Sequence, residues 1–595
     1  MTYRAPIDDI RLALDSAAGL DGLIADGTLA GIDADLVASV LEGAAKFAEE
    51  EIAPLDRTGD TNPSRLANGK VVTPPGWDRA YKDFVDGGWA ALSGPEDFGG
   101  QGLPHVLASS AIEIWCGANL AFGLCPLLTQ GAVDAMRAAA SPELKARYLP
   151  KMVSGEWTGT MNLTEPQAGT DLGALKTRAV PQSDGSYRLF GTKIYITYGD
   201  HELTPNIIHL VLARLPDAPP GTRGISLFLV PKFLVNPDGT LGARNDVRAT
   251  GLEHKLGLHA SPTCVMSFGE GEGAVGYLVG EAGRGLNHMF VMMNRARLDV
   301  GMQGVALAER ATQRAIAYAQ ERRQGRTATT PAGAMAAIFE HPDVRRNLLQ
   351  MRALTAASRA LCLATARELD IGERAADASA RAAAANRAAL LTPVAKAFAT
   401  DAAVEVASLG VQVHGGSGFI EGSGAAQHYR DARILPIYEG TNGIQAIDLV
   451  TRKLPLDGGK VIATYLSELD ATASEIATAN HPGFARLAEQ LKDANAALRR
   501  ASDWLRAQLQ SHPDAALAGA TPYLRLFGIA AGGCHIGRGA LLAARAGDGT
   551  PAMKRQIALA IFFAESLSPT AQGLANIVTE GAAALLSADA STFLS

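Results

Sequence analysis

The sequence predicts a mainly α-helical fold with a central β-domain. Ala- and Leu-rich segments with helical spacing occupy both ends of the 595-residue chain. Between them lie β-branched and aromatic runs bounded by glycine and proline, which are typical of strands. A chain of this length exceeds the size at which a single core stops growing. We therefore expect several packed domains.

The first two predicted domains are residues 1–157 and 158–281. Prolines such as Pro54 and Pro95 separate Ala- and Leu-rich segments in the first, which predicts helices joined by loops. The second contains SYRLFGTKIYIT after a Ser-Asp-Gly turn, followed by the β-branched runs IIHLVLARL and ISLFLVPKF. These runs predict a β-domain in the middle of the chain.

Two further helical domains are predicted, over residues 282–455 and 456–595. In the first of them Leu298, Met302 and Val305 fall on one helical stripe, and a long Ala-rich stretch follows. The segment KLPLDGGK then marks a break, because proline and glycine interrupt helices. No unit recurs at a fixed period, which argues against a solenoid.

Charge and apolar patterning exclude several function classes. The net charge is −7, so no broad cationic field is available for nucleic acid. The first twenty residues lack the features of a secretory or transit signal. The apolar run from Ile557 to Ala564 is far shorter than the ~20 residues that span a bilayer. We expect a cytoplasmic protein with no integral membrane segment.

The cysteines predict neither disulfides nor a metal site. They are odd in number and contain no C-x-x-C pair. Their wide spacing fits a reducing compartment. The five are Cys116, Cys125, Cys264, Cys362 and Cys534.

The first chemical motif is MNLTEPQAGTD, from Met161 to Asp171. Pro166 and Gly169 force a turn, which makes Thr164, Thr170 and backbone N–H groups available as donors. Such a loop can hold the polar rim of a flavin. Taken alone, it is better explained as a capped turn between a helix and a strand, in which Thr164 or Asp171 serves the backbone.

This motif, followed by KIYIT, resembles the flavin-contacting segments of the acyl-CoA dehydrogenase family. The resemblance implies an FAD cofactor, with Thr164 at the pyrimidine edge of the flavin and Thr197 at N5. Tyr195 stands where the family usually has tryptophan, and Thr170 is also implied to contact the CoA portion of the substrate. The implied flavin-binding residues here are Met161, Leu163, Thr164, Gly169, Thr170, Tyr195, Ile196 and Thr197.

Two later segments resemble the family's contacts to the FAD of an adjacent subunit. YAQERRQGR implies that Arg322 binds the pyrophosphate, and QVHGGSGF implies cofactor contacts from Gln412, Gly415 and Gly416. They imply a homo-oligomer, either a dimer or a dimer of dimers. Alternatively, Arg322 is a solvated residue at a helix end and the glycines form a simple turn. His414 is given no catalytic role.

The segment RDARILPIYEGTNGIQ resembles the family's catalytic turn. The resemblance implies FAD-dependent dehydrogenation of an acyl-CoA to a trans-2-enoyl-CoA, in which Glu439 takes the α-proton and flavin N5 accepts the β-hydride. By itself, Glu439 is an ordinary loop glutamate. Thr441 and Asn442 are implied as further cofactor contacts, and Arg297 alternatively anchors the active-site loop. The implied substrate-binding residues are Thr170, Asn294, Arg297, Tyr438 and Gly440.

The start of the chain and its extra C-terminal region resemble a longer bacterial subfamily that includes 3-methylmercaptopropionyl-CoA dehydrogenases. This resemblance implies a helical N-domain with an extension over residues 1–35, a β-barrel-like middle domain, a four-helix-bundle C-domain and an appended helical domain. The substrate is expected to be 3-methylmercaptopropionyl-CoA or a short- to long-chain fatty acyl-CoA. An electron-transfer flavoprotein is the expected acceptor.

Three alternatives share the fold. An acyl-CoA oxidase would pass electrons to dioxygen. A non-enzymatic, DNA-associated flavoprotein would need a basic surface, which the net acidity argues against. A structural factor built on an inactive dehydrogenase would be expected to have lost the base or the flavin contacts, and both are present.

Overall fold

The computed structural model describes residues 3–547 and 549–594. The start of the first predicted domain, residues 1 and 2, and the end of the last one, residue 595, therefore lie outside the described part. The N-terminal region is helical apart from one small hairpin, whose strands are β1 (Arg65–Ala67) and β2 (Lys70–Val72). Its helices are α1 (Ile7–Ala13), α2 (Leu20–Ala25), α3 (Ala34–Phe47), α4 (Leu55–Thr61), α5 (Trp77–Asp86), α6 (His105–Ala118), α7 (Leu120–Ala139) and α8 (Pro142–Val153).

The middle region is built from strands, as the β-branched runs predicted. The main sheet has the order β10-β11-β5-β12-β7-β6-β3, and β4 pairs with both β5 and β6. These pairings close β4, β5, β12, β7 and β6 into a ring, which gives the region its barrel-like shape. The strands are β3 (Trp157–Asn162), β4 (Arg178–Pro181), β5 (Tyr187–Thr197), β6 (Asn206–Arg214), β7 (Ile225–Pro231), β8 (Phe233–Val235), β9 (Leu241–Arg244), β10 (Val247–Leu252), β11 (Thr263–Phe268) and β12 (Ala274–Val279).

Three long helices dominate the next region: α9 (Gly285–Glu321), α10 (Pro342–Arg374) and α11 (Ala378–His414). The short helices α12 (Ala425–Ala432) and α13 (Asn442–Asp448) follow. The predicted stripe of α9 is buried. Helices α9 and α11 approach closely because Gly304 has no side chain; a Cβ there would lie 2.7 Å from the carbonyl oxygen of Ala399.

In the described part of the C-terminal region, all regular elements are helices, and they pack on this bundle. A Cβ added to Gly528 would lie 2.2 Å from Phe398 of α11, so glycine lets the two helices touch. One buried apolar cluster runs from the N-terminal helices through α9–α11 into this region. The C-terminal helices are α14 (Lys460–Thr478), α15 (Phe484–Ser511), α16 (Pro513–Ala518), α17 (Ala520–Arg545), α18 (Pro551–Ser566), α19 (Thr570–Glu580) and α20 (Ala582–Ser587).

Helix α17 is long and apolar enough to cross a membrane, judged by length and composition alone. However, 83% of its apolar window is buried inside the protein, and the core helix of a folded domain passes the same criterion. In the sequence the shorter run near Ile557 stands out more than α17, because α17 contains many glycines and alanines. One bent pair, α18 with α19, also passes when taken as a single broken span.

Candidate active site

Glu439 lies in a strained turn between α12 and α13. Its φ is +56°, an unusual value for a residue with a long side chain, and Gly440 follows with φ +85°. The amide of Gln445 donates to the carbonyl oxygens of Glu439 (3.2 Å) and Gly440 (3.3 Å). A Cβ on Gly440 would come within 2.8 Å of that amide nitrogen. The turn therefore requires glycine directly after the glutamate.

The carboxylate of Glu439 points into the protein. Its Oε2 is buried and has no hydrogen-bond partner within the described residues. Burial raises the pKa of Glu439 to about 7, and the positive charges of Arg297 and Lys396 limit the rise. A carboxylate with such a pKa, held without a donor, is suited to exchanging a proton near neutral pH.

Three of the predicted substrate-binding residues, Tyr438, Gly440 and Arg297, lie beside this glutamate. Tyr438 donates its hydroxyl hydrogen to Gln303 of α9. On the same helix, Arg297 donates to the side-chain oxygen of Asn294 at 3.2 Å. Burial lowers the pKa of Arg297, while Asp448 and Glu439 oppose that effect. Asn294 and Arg297 line a cavity of about 1020 Å³ that also contacts α7, α10 and α11.

The loop that carries Thr164 is held by a buried ion pair. Glu165 accepts from Lys193 of β5 at 2.8 Å, and both side chains are almost fully buried. The same carboxylate accepts from the backbone N–H groups of Lys176 and Thr177. Lys193 also donates to the carbonyl of Leu163. The glutamate of the T-E-P motif therefore fixes the loop onto the sheet.

Tyr195 lies in a β-bulge of β5. The register of β5 against β11 shifts here, so two residues, Ile194 and Tyr195, face Val265. The extra residue explains the φ of +62° at Tyr195, whose side chain is 60% exposed. Thr197 pairs with Thr263 at the end of the same strand. The bulge turns a broad aromatic face outward beside the loop that carries Thr164.

The predicted flavin-contacting hydroxyls are free. Among the described residues, no hydrogen bond involves the side-chain oxygens of Thr164, Thr170 or Thr197. Thr164 and Thr197 are half-buried, and Gly169 and Thr170 are exposed. Of the remaining predicted residues, Met161 is half-buried on β3, whereas Leu163 and Ile196 are buried. The chemistry of this face is a set of hydroxyl donors beside one aromatic ring.

Contacts connect this face to the segment that carries Glu439. Asp431, at the end of α12, accepts from the backbone N–H of Leu258 at 2.6 Å. The loop that contains Leu258 continues to Pro262, whose carbonyl accepts from the N–H of Tyr198. The end of β5 and the start of the catalytic segment are thus fastened to one loop.

The second group of predicted residues lies elsewhere. Tyr318, one turn before Arg322, stacks on His414 with ring centroids 4.4 Å apart. This stacking brings the end of α9 beside the loop of Gly415 and Gly416. Arg322, Gln412 and both glycines are exposed, and Phe419 is 85% exposed. In the described chain no hydrogen bond or ion pair joins this group to Glu439 or Thr164.

Helix α11 contributes groups that the sequence analysis missed. Lys396, fully buried, donates to the carbonyl of Gly440 at 3.0 Å and to Asn442 Oδ1 at 2.8 Å. The amide of Asn442 in turn donates to Asp401 at 2.7 Å. The Asn442 side chain is therefore committed to α11, and its predicted cofactor contact stays a prediction. Thr441 caps α13 through Ile444. The sequence offered one indication of the role of Lys396, which is its position as a single charged residue in the apolar segment LLTPVAKAFA.

Four protein-family models match the chain. They describe the acyl-CoA dehydrogenase N-terminal domain (residues 38–156), middle domain (160–270) and C-terminal domain (283–454), and an acetyl-CoA dehydrogenase C-terminal-like region (465–589). Among curated proteins, 3-methylmercaptopropionyl-CoA dehydrogenase of Ruegeria pomeroyi is 48% identical, over 99% of this chain and 100% of the relative.

Solved structures show the same fold over nearly the whole length. ACDH-11 of Caenorhabditis elegans, in complex with C11-CoA, is 21% identical with a TM-score of 0.74, covering 92% of this chain and 91% of that one. An acyl-CoA dehydrogenase of Bacillus anthracis complexed with FAD is 20% identical with a TM-score of 0.73, covering 95% and 90%. The C-terminal helical region is thus shared with known folds.

Proposed function

The chain belongs to the acyl-CoA dehydrogenase family, and on that premise we propose that it oxidises the Cα–Cβ bond of an acyl-CoA thioester with Glu439 as the base. The observation that carries this proposal is the Glu439 carboxylate. One of its oxygens, Oε2, is buried without a hydrogen-bond partner among the described residues, the pKa of the carboxyl is raised to about 7, and the turn is held by Gln445.

The proton-transfer step assigned to Glu439 follows from this setting. A hydrogen α to a thioester carbonyl is a weak acid, so the base must be poised near neutral pH and kept from water. Burial supplies both conditions. The proton passes from the substrate α-carbon to a carboxylate oxygen of Glu439. The guanidinium of Arg297 stays protonated and stabilises the ionised form of Glu439 before the transfer.

The described residues fit FAD, which supplies the hydride acceptor when bound. Thr164, Thr170 and Thr197 offer free hydroxyls, and Tyr195 offers an exposed aromatic face at the bulge. Gly169 leaves open space where a side chain would stand. The FAD complex of the Bacillus anthracis fold neighbour supports the same cofactor. These residues would hold the flavin ring and its polar edge.

We propose 3-methylmercaptopropionyl-CoA, or a short acyl-CoA of similar size, as the substrate. Support comes from the Ruegeria pomeroyi relative, which matches this chain over its whole length at 48% identity. The C11-CoA complex of a fold neighbour supports a CoA thioester in general. Asn294 and Arg297 are proposed to contact the thioester side of the substrate, since Arg297 acts on the charge of Glu439 and donates to the side-chain oxygen of Asn294.

A second copy of the chain and an electron-transfer flavoprotein are the proposed partners. Arg322 and the loop of Gly415 and Gly416 form one exposed group, remote from the hydrogen bonds of Glu439. The neighbouring Phe419 and Ile420 are 85% and 61% exposed, which fits a surface covered by another subunit. We propose that this group contacts the FAD of the second copy.

Anaerobic reduction of the bound flavin tests the proposed reaction. Wild type and Glu439→Gln are mixed with 3-methylmercaptopropionyl-CoA, butyryl-CoA and a long-chain acyl-CoA, and flavin bleaching is followed in a stopped-flow instrument. Glutamine keeps the shape of the side chain but cannot take the proton, so we expect bleaching to slow by at least about 1000-fold. The first substrate should bleach the wild type fastest.

Two results would contradict the proposal. Equal bleaching by the variant would remove Glu439 as the base. No bleaching of the FAD-loaded wild type by any acyl-CoA would remove the reaction itself. Peroxide formation in air, measured on the same preparation, distinguishes an oxidase from a dehydrogenase that needs an electron-transfer flavoprotein.

A further inference from the structure

Lys396 is a buried cation that the proton transfer does not use. It lies inside α11 with no exposed surface, and its chain neighbours Ala395, Ala397 and Phe398 are apolar and buried. Burying an ammonium group is costly unless it is hydrogen-bonded and neutralised. The contacts of Lys396 should therefore reveal what the charge does.

Both hydrogen-bond partners of Lys396 belong to the catalytic turn. Its ammonium donates to the carbonyl of Gly440 at 3.0 Å and to the side-chain oxygen of Asn442 at 2.8 Å. Gly440 directly follows the base, and Asn442 is the first residue of α13. The lysine thus holds the backbone on the C-terminal side of Glu439.

Asn442 extends this hold along α11. Its amide nitrogen donates to Asp401 at 2.7 Å, to Thr400 at 3.0 Å and to the carbonyl of Ala397 at 3.2 Å. Because Lys396 donates to its side-chain oxygen, both the oxygen and the nitrogen of the Asn442 amide have hydrogen-bond partners. Such restraint offsets the cost of the positive φ at Glu439, a backbone conformation that is unfavourable for a residue with a side chain.

We propose that Lys396 is a positioning residue for Glu439, fixing the base-bearing turn on α11 and supplying a positive charge beside the carboxylate. This inference rests on the proposed role of Glu439. Lys396 touches neither the reacting atoms nor the substrate in this assignment. It acts through the backbone of Gly440 and through its field.

The charges around the pair set the direction of the electrostatic effect. Burial lowers the pKa of Lys396 to about 7, and Glu439 and Asp401 oppose that fall. Lys396 and Arg297 in turn keep the pKa of Glu439 from rising further. Removing the lysine therefore raises the pKa of Glu439. The charged groups that act on Glu439, Lys396 and Arg297 are Asp401, Asp448 and Arg452 besides these three themselves.

The test uses the FAD-loaded enzyme and the Lys396→Met variant. Anaerobic flavin reduction by a saturating short acyl-CoA is measured across pH. Without the positive charge of Lys396, the rising limb, that is the pH range over which the rate of flavin reduction increases, should move to higher pH by about one unit or more. Without the hydrogen bonds of Lys396 to Gly440 and Asn442, the rate at high pH should fall by up to about 100-fold, since Glu439 is ionised there in both proteins. A purely structural role would not move the limb.

Two further variants keep the test decisive. Lys460→Met makes the same change at a residue with an 80% exposed side chain, and it should leave both quantities unchanged. Asp401→Asn removes the charge that favours protonated Lys396 and leaves both lysine hydrogen bonds in place. It should move the limb upward by less than Lys396→Met does, with a smaller loss at high pH. If Lys396→Met does not fold, the limb of Asp401→Asn decides.

The outcomes separate this inference from the proposed function. Lys396→Met with bound FAD, an unmoved limb and a wild-type rate would overturn the positioning role, even if Glu439→Gln is inactive. An unmoved limb in Asp401→Asn would overturn the electrostatic part. If Glu439→Gln reduces its flavin as fast as wild type, the proposed function fails instead, whatever the lysine variants do.

Discussion

At the residue scale, the setting of Glu439 predicts a pH dependence. Burial raises the pKa of its carboxyl to about 7, and only the ionised form can take a proton. The rate of flavin reduction by a saturating acyl-CoA should therefore be low in acid and rise as pH increases through about 7. Single-turnover rates in buffers of constant ionic strength measure it. A rate that is flat from mildly acidic to mildly alkaline pH would contradict the burial of this carboxylate.

Glu165 gives a second prediction at this scale, one about stability. It is buried against Lys193, so Glu165→Gln leaves an ammonium group without a counter-ion and should lower the free energy of unfolding by about 3–5 kcal/mol. The ion pair holds the pKa of Glu165 down to about 2. Its contribution is therefore present above the unfolded-state pKa and lost as pH falls toward the folded value.

Denaturant unfolding at neutral pH measures the effect of Glu165→Gln. The control is Glu156→Gln, whose partner Lys151 is 2.9 Å away but whose side chain is 48% exposed. That change should cost at most about 1 kcal/mol, because solvent screens an exposed pair. Equal losses in the free energy of unfolding from both variants would show that the buried pair contributes no more to stability than the exposed one.

Residue-scale prediction worked where a motif carries its own geometry. The sequence predicts a turn at Pro166 and Gly169, and in the structure Pro166 lies in a turn and Gly169 in a bend. Lys396 could not be placed in this way, because its contacts with Gly440 and Asn442 join positions far apart in the chain. The ion pair between Glu165 and Lys193 could not be predicted for the same reason, although Glu165 lies in MNLTEPQAGTD and Lys193 in KIYIT.

At the element scale, the glycines of α17 let it lie against α11. A Cβ at Gly528 would come 2.2 Å from Phe398, which is fully buried and cannot move freely. Gly528→Ala should therefore lower the free energy of unfolding by about 1–3 kcal/mol through overpacking. Thermal unfolding of the FAD-loaded protein measures this. An unchanged midpoint would mean that the two helices are not in contact there.

Gly573→Ala is the matched control for that substitution. Gly573 is also a helical glycine, in α19, and nothing lies within 4 Å of the position its Cβ would take. Alanine should stabilise this helix by roughly 0.5–1 kcal/mol, because it restricts the unfolded backbone. Opposite signs for the two variants would separate packing from helix propensity.

Elements themselves were predicted well, and their irregularities were not. KIYIT was predicted as part of a strand and lies in β5. The bulge at Tyr195 was invisible, since alternation along one strand does not reveal an extra residue opposite its neighbour. Tyrosine also rarely takes a positive φ, so the residue type gave no indication of the positive φ that the bulge requires at Tyr195.

At the scale of the whole molecule, the exposed group at Arg322 predicts how FAD is retained. If it binds the cofactor of a second copy, Arg322→Ala should weaken FAD binding by about 10- to 100-fold, the loss expected for about 1.5–3 kcal/mol of charged hydrogen bonds. Flavin fluorescence after serial dilution of the holoenzyme measures it, and the wild type should also lose FAD as its subunits separate.

Arg323→Ala is the control, because Arg323 lies next to Arg322 at the same exposed helix end. If the arginines only favour the negative pole of α9, both variants should behave alike and neither should release FAD. A selective effect of Arg322 supports the shared cofactor site. Full FAD retention by Arg322→Ala would overturn it.

Domain organisation shows both the reach and the limit of the sequence. The break at KLPLDGGK is a real turn, with positive φ at Asp457, Gly458 and Gly459. The boundary there predicts an appended helical domain, and the buried apolar cluster continues from the bundle into these C-terminal helices. Helical spacing shows that a segment has an apolar face, but not which other element covers it. The predicted domain limits stay predictions.

The contact between Phe398 and Gly528 has a consequence for biosynthesis. Phe398 leaves the ribosome about 130 residues before its partner, a delay of roughly 7–26 s at ordinary elongation rates. Throughout that interval the nascent chain displays the apolar surface of α10 and α11 that α17 will cover. Helix α17 then emerges with the composition of a membrane span. The order of synthesis thus predicts that chaperones bind this surface of the unfinished chain until α17 emerges.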